Sequence, residues 1–241
     1  MHLTKKNEHF VIIDNFLPED CLSLIWNFIL QCNFSPVHVG LSNSPWSATD
    51  GMPLTGKPIL LDKGMKKQNE HNLGRFDKYP TNTPIDMFID NIMNNMDEFC
   101  SYVGQPKEVW NCMSVSPFIY PQSTGLSWHS DSISGNTSIY SGAYSFYIHP
   151  GWKDNWGGEL MIQSPINNQP NSGNNTIKNM NRFSSRDRSF NSNYDGQYIM
   201  PNQNRFILLK SGTWHKINTV NKAAGNRVRV SLSGFFFKPE K

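Results

Sequence analysis

The chain has 241 residues, of which 37% are hydrophobic and 12% aromatic, and its net charge is +3. This apolar content supports a hydrophobic core and argues against general disorder. Lysines and arginines are scattered among acids rather than gathered in a basic stripe, so we expect no nucleic-acid binding. No apolar run approaches the roughly 20 residues that span a bilayer, and no leader pattern is visible. We therefore expect no membrane insertion and a cytoplasmic location.

The N-terminal half combines one short strand with two helices. Residues 9–17 form an apolar run that ends in a turn, and Pro18 opens a helix with acids in its first turn. Apolar residues at helical spacing predict a second helix over 84–103. The segment 35–75 begins rich in Ser, Pro, Gly and Asn and shows little periodicity. It is either a lid over a site or a plain surface loop.

From Val109 onward the sequence changes to short strands divided by turns. We predict a mainly β (α+β) fold, a jelly-roll sandwich with the helices packed on one outer face. One domain spans 1–241, with helical support over 1–108 and the jelly-roll core over 109–241. The Asn- and Ser-rich residues 166–198 are predicted to form a loop insertion in that core. The predicted core strands cover 110–119, 127–131, 143–149, 158–162, 205–209, 215–220 and 227–237.

Three side chains in this half have the chemistry of a metal site. His129 and Asp131 are two residues apart, so on a strand both leave by the same face, with Cβ atoms roughly 6.5–7 Å apart. His215, on a later predicted strand, is the best candidate for a third ligand. Two histidines and one carboxylate leave three positions of an octahedral ion open, the arrangement used by non-haem Fe(II) oxygenases.

Four segments extend this pattern in a fixed order. The first segment, 120–131, runs from Tyr-Pro-Gln to His-Ser-Asp, and the second, 146–160, contains Phe-Tyr-Ile-His-Pro followed by Trp-Gly-Gly. The third, 205–215, leads to His215, and the fourth is the closing strand 229–236. Together they resemble the 2-oxoglutarate/Fe(II)-dependent dioxygenases, in particular the prolyl-hydroxylase-like branch. The opening strand and helix, 10–29, are similar to the start of that branch. The resemblance implies a double-stranded β-helix fold.

The resemblance also implies a cofactor set and the residues that hold it. Fe(II) would be bound by His129, Asp131 and His215, leaving a charge of about +1 that suits a dianion. 2-Oxoglutarate and O₂ would take the open positions, with ascorbate as a stimulant. The far carboxylate of 2-oxoglutarate needs a planar cation, for which Arg229 is the candidate and Arg227, on the same predicted strand face, remains an alternative.

Two tyrosines and one further histidine are singled out by the same comparison. Tyr147 is expected to donate its hydroxyl to the co-substrate carboxylate, and Tyr120 to hydrogen-bond the co-substrate as well. For both tyrosines, packing in the barrel core is an open alternative. His149 stands in a turn where the family tends to place Asn, and we interpret it as a hydrogen-bonding residue because the metal already has its ligands.

The implied reaction converts 2-oxoglutarate and O₂ to succinate and carbon dioxide, and an Fe(IV)-oxo species then hydroxylates an unactivated C–H bond. We expect the substrate to be a small molecule, such as an amino acid or a natural-product intermediate. The alternative within the same chemistry is a prolyl or other residue of a protein. An alternative of another class is a cupin-like metal-binding protein without turnover. Substrate identity and oligomeric state do not follow from these residues.

Overall fold

The computed structural model describes residues 1–37, 46–62, 76–131, 139–165 and 194–239. Within these ranges the chain forms three helices, α1 (Glu19–Ile29), α2 (Ile85–Asn94) and α3 (Met96–Val103). The strands of the N-terminal part are β1 (His2–Lys6), β2 (Phe10–Asp14), β3 (Ser35–Pro36), β4 (Leu54–Thr55), β5 (Ile59–Asp62) and β6 (Asp77–Lys78). The strands of the C-terminal part are β7 (Cys112–Tyr120), β8 (Leu126–His129), β9 (Tyr140–Tyr147), β10 (Leu160–Pro165), β11 (Tyr194–Ile199), β12 (Phe206–Lys210), β13 (His215–Ile217) and β14 (Arg229–Phe237).

The strands form two sheets. The larger has the order β1-β2-β12-β9-β14-β7-β4-β3, with β5 also paired to β7, and the smaller has the order β11-β10-β13-β8. Every strand pair between the described residues is antiparallel except β5 with β6. The predicted fold class is confirmed: the chain is mainly β, a double-stranded β-helix supported by helices.

Residue alternation explains why the central strands are apolar on both faces. On β2, Val11 and Ile13 belong to a core shared with the three helices. Phe10 and Ile12, on the opposite face, belong to a second core shared with the smaller sheet. Because successive side chains leave a strand on opposite sides, a strand between two cores must be apolar throughout. The helices therefore cover one face of the larger sheet and the smaller sheet covers the other.

The helix predicted over 84–103 is divided in two. Asn95 has φ −109° and ψ 16°, outside helical values, and separates α2 from α3. Its side-chain amide donates to the carbonyl oxygen of Asn91 at 2.7 Å, which competes with the backbone hydrogen bonds of a continuous helix. Both halves still bury apolar residues, so the helical period was predicted correctly and the break was missed.

Two other predicted segments need correction. Residues 1–108 are more than helical support, because β4 and β5 extend the larger sheet by pairing with β7. The insertion predicted over 166–198 ends earlier than expected, since Tyr194–Ile199 forms β11 along β10. In each case backbone pairing to a neighbour orders a stretch that lacks apolar periodicity. Residues 166–193 of the insertion, and 38–45 and 63–75 of the possible lid, lie outside the described residues.

Gly234 tests how closely β14 and β7 approach. A Cβ at this position would lie 1.8 Å from the carbonyl oxygen of Ser114 and 2.7 Å from the hydroxyl of Tyr144. We expect Gly234→Ala to lower the free energy of unfolding by about 3 kcal/mol or more, because backbone must move to admit the methyl group. Gly196→Ala is the matched control, with nothing within 4 Å of the added Cβ. Equal urea-unfolding midpoints for the two variants would contradict the close approach.

Candidate metal centre

The candidate ligands are brought together by the pairing of two short strands. β8 and β13 are antiparallel neighbours, and His129 lies directly opposite His215 in their register. The two imidazole rings are 4.2 Å apart between centroids. Asp131 follows just beyond the end of β8, and its two carboxylate oxygens lie 3.6 Å from Nε2 of His129 and 3.6 Å from Nε2 of His215. One ligand atom from each residue thus lies within 4.8 Å of the others.

Backbone carbonyls fix the orientation of both imidazoles. The Nδ1 atom of His129 lies 2.8 Å from the carbonyl oxygen of Ser127, and that of His215 lies 2.9 Å from the carbonyl oxygen of Thr213. A carbonyl can only accept, so Nδ1 carries a proton in each ring, which leaves Nε2, on the side of Asp131, as the atom that can bind a metal. Burial, with His215 alongside, lowers the pKa of His129 to about 4. The ring is therefore neutral at pH 7, the state a metal requires.

Arg229 forms the second feature of the site. It is fully buried, and its guanidinium carbon lies 4.9 Å from the ring centre of Tyr120 and 4.8 Å from that of Tyr147. Nη2 donates to the Tyr147 hydroxyl at 3.3 Å, whereas Nε and Nη1 have no hydrogen-bond partner. A buried cation with unused donors is costly unless an anion completes it. The guanidinium of Arg229 can therefore accept an anionic partner such as a carboxylate.

The surroundings of Arg229 separate it from the alternative arginine. Arg227 is exposed and precedes β14, so it does not share the buried face of Arg229. A Cβ on Gly158 would approach Cδ of Arg229 to 3.0 Å, so glycine leaves room for the arginine stem. Tyr147 is fully buried beside the guanidinium, and Tyr120 contacts it while also facing the cavity described next.

A cavity of about 290 Å³ adjoins the triad. Its metal-facing side includes His129, Asp131 and His215, and apolar side chains such as Leu160 and Ile217 line the same side. Other lining residues come from the larger sheet and include the three serines that stand at one register level, Ser116, Ser145 and Ser233. The cavity therefore has room for small ligands beside the triad, with a mostly apolar wall.

Sequence reasoning missed two residues that belong to this site. Trp46 lines the cavity and packs against Phe118, with 5.6 Å between ring centroids. Asp50 is buried and accepts a hydrogen bond from the hydroxyl of Ser127 at 2.6 Å, on the strand that carries His129. Both residues lie in the segment that was interpreted as a lid or loop. Only the tryptophan offered a sequence signal, as a large aromatic residue within a polar segment.

His149 holds the backbone next to Arg229. Its Nδ1 accepts from the Val230 amide at 3.0 Å, and its Nε2 donates to the Pro201 carbonyl at 2.8 Å. The interpretation of His149 as a hydrogen-bonding residue is confirmed. Burial lowers the pKa of His149 to about 4, so the neutral ring is the folded form.

This histidine makes stability depend on pH. Its folded pKa lies below the ordinary value near 6.5, so its contribution is complete above pH 6.5 and is lost as the pH falls toward 4. Between pH 7 and pH 5 we expect wild-type protein to lose about 2 kcal/mol more unfolding free energy than His149→Asn, whose amide does not titrate. Urea unfolding at both pH values measures the difference. Parallel pH profiles for the two proteins would contradict the assignment.

The fold and site agree with a known family. The sequence profile of the 2OG-Fe(II) oxygenase superfamily matches residues 115–237, just over half of the chain. The chain belongs to this superfamily. Its cofactors are accordingly Fe(II), 2-oxoglutarate and O₂, and the His-Asp-His triad fits the iron site.

Solved structures with the same architecture include two prolyl hydroxylases. A Pseudomonas putida prolyl-4-hydroxylase is 13% identical, with a TM-score of 0.55 over 95% of this chain and 92% of its own. A Trichoplax adhaerens prolyl hydroxylase, bound to a peptide fragment of the hypoxia-inducible-factor oxygen degradation domain, is 15% identical, with a TM-score of 0.58 over 96% and 84%. At these identities the similarity establishes the fold.

A third neighbour acts in small-molecule biosynthesis. SnoN, a non-haem α-ketoglutarate-dependent epimerase of nogalamycin biosynthesis, is 10% identical, with a TM-score of 0.54 over 95% of this chain and 78% of its own. No curated protein sequence gives a significant match. Among the described residues, no helix has the length and apolarity needed to cross a bilayer.

Proposed function

We propose that the protein is a 2-oxoglutarate-dependent hydroxylase that oxidises an unactivated C–H bond of a small molecule. The observation that carries this proposal is one arrangement: a His-Asp-His cluster beside a cavity, and a buried Arg229 with unpartnered donors that lies against the cavity-lining Tyr120. Fe(II) with 2-oxoglutarate and O₂ supplies an oxidant strong enough for such a bond. The residues of the chain supply binding, orientation and exclusion of water.

Each part of the site has a defined task in this proposal. His129, Asp131 and His215 hold the metal through two neutral nitrogens and one carboxylate, on rings already oriented by carbonyls. Arg229 anchors the far carboxylate of 2-oxoglutarate through its guanidinium, which has unpartnered donors, and Tyr147 adds its hydroxyl. Tyr120 lies against the guanidinium and lines the cavity, where it would contact the co-substrate.

The size of the cavity supports a small reacting group. At about 290 Å³ it lies at the lower end of ligand pockets, and it has to admit 2-oxoglutarate as well as the group that is oxidised. A compact molecule meets this condition. So does one side chain of a protein whose backbone stays outside, and the similarity to a prolyl hydroxylase with a bound peptide favours that second candidate.

The test measures succinate. Purified protein with Fe(II), ascorbate and 2-oxoglutarate is expected to form succinate slowly without substrate, and faster with a suitable one. Adding a small-metabolite pool and a peptide pool separately, followed by mass spectrometry for a gained oxygen atom, decides between the two substrate classes. A complete lack of succinate under all conditions would favour a metal-binding protein without turnover.

A further inference from the structure

A carboxylate outside the metal triad is attached to the strand that carries His129. Among the described residues, the four-residue strand β8 pairs with β13 alone, so within that part of the chain one of its edges has no sheet neighbour. A 3₁₀ turn, Ala48–Asp50, meets β8 near its start, where the amide of Gly125 donates to the carbonyl oxygen of Asp50 at 2.9 Å. The turn thus gives a short edge strand a further attachment.

The two carboxylate oxygens of Asp50 make different contacts. Oδ2 accepts from the amide of Ser47 at 2.7 Å and from its hydroxyl at 3.0 Å, which closes the capping box of the turn. Oδ1 is not needed for that cap and accepts from the hydroxyl of Ser127 at 2.6 Å. Asp50 is only 6% exposed, so both oxygens rely on these protein donors. A cap alone would not require the second contact.

The contact continues to the metal site through Ser127. Its hydroxyl donates to Asp50, and its carbonyl oxygen accepts the Nδ1 proton of His129 at 2.8 Å. Fixing Ser127 therefore fixes the acceptor that sets the tautomer and the direction of the His129 ring. Removing a residue that hydrogen-bonds to a metal ligand typically weakens metal binding by 10- to 100-fold.

We propose that Asp50 is a positioning residue for the metal ligand His129 and acts through Ser127. This inference rests on the proposed function in one respect, that His129 binds the metal. Asp50 is not a member of the triad and is not among the residues that line the cavity; it holds the strand and the carbonyl that orient the ligand. A segment far from the ligands in sequence thereby becomes part of the metal site.

Metal affinity tests the inference without turnover. Co(II) is titrated into metal-free protein, and binding is followed by its visible absorption spectrum. Asp50→Asn leaves one side-chain oxygen, which cannot accept from both Ser47 and Ser127. Ser127→Ala removes only the hydrogen bond to Asp50 and leaves the Ser47 contacts of the cap in place. We expect both variants to bind Co(II) about 10- to 100-fold more weakly than wild type, with an altered spectrum.

A matched capping carboxylate serves as control. Asp86, in the first turn of α2, accepts from the amide and hydroxyl of Thr81 and from the amide of Asn82, and it is not among the residues that line the cavity. Asp86→Asn should lower the unfolding midpoint and leave Co(II) affinity unchanged. Wild-type affinity in both Asp50→Asn and Ser127→Ala would overturn the inference, and Ser127→Ala keeps the test valid if Asp50→Asn fails to fold. Unchanged affinity in His129→Ala would instead overturn the proposed metal site.

Discussion

Replacing Asp131 with alanine is expected to abolish 2-oxoglutarate turnover and to lower Fe(II) affinity by at least about 100-fold. Asp131 is the only carboxylate of the triad and lies 3.6 Å from Nε2 of each histidine. Its loss removes both a ligand and the negative charge that offsets a divalent cation, so the effect should exceed the 10- to 100-fold cost of losing an outer partner. Anaerobic metal titration and succinate formation measure the two results.

An exposed aspartate provides the comparison. Asp195 lies on β11, and its carboxylate accepts only from the adjacent Gly196 amide among the described hydrogen bonds. Asp195→Ala should retain wild-type metal affinity and succinate formation. Retention of succinate formation by Asp131→Ala, with an unfolding midpoint like that of wild type, would show that the carboxylate ligand has been assigned wrongly.

Replacing Arg229 with glutamine is expected to raise the KM for 2-oxoglutarate by about 100-fold or more. The change removes a buried positive charge with two free donors, and losing one partner of such a charge pair costs about 2–5 kcal/mol in binding. Tyr147→Phe removes only one hydroxyl and should raise the KM several-fold. Steady-state kinetics and calorimetric titration of 2-oxoglutarate measure both effects.

Arg227 provides a control for the loss of positive charge at Arg229. Arg227→Gln removes the same charge from an exposed position two residues earlier and should leave the KM for 2-oxoglutarate unchanged. Arg229→Lys keeps the charge without the planar fork, and we expect a KM between those of wild type and Arg229→Gln. If Arg227→Gln raised the KM as much as Arg229→Gln, 2-oxoglutarate would be attracted by the positive charge of this region and not bound specifically by Arg229.

The metal centre was the part most open to sequence reasoning. His129 and Asp131 are two residues apart, a spacing that constrains side-chain direction locally. His215 was reached through the order of segments around it, and the register of β8 with β13 sets it opposite His129. The choice between Arg229 and Arg227 stayed open because both fall on one face of a regular strand, whereas the structure begins β14 only at Arg229.

The contribution of the N-terminal segment could not be predicted in the same way. β4 has two residues, too few for any period, and its pairing with β7 depends on a neighbour more than 50 residues away. The hydrogen bond from Ser127 to Asp50 spans 77 residues and joins two ordinary polar side chains. The break at Asn95 was missed for a related reason, because the apolar period continues across it.

Arg229 has a consequence for the lifetime of the folded chain. Its two unpartnered donors raise the energy of the protein whenever no anion is bound. An anion that pairs with them binds the folded chain and not the unfolded one, so its binding free energy adds to resistance against unfolding. 2-Oxoglutarate, which is consumed in turnover, would then also stabilise the folded protein. When its concentration falls, protein without bound 2-oxoglutarate would be more susceptible to proteolysis.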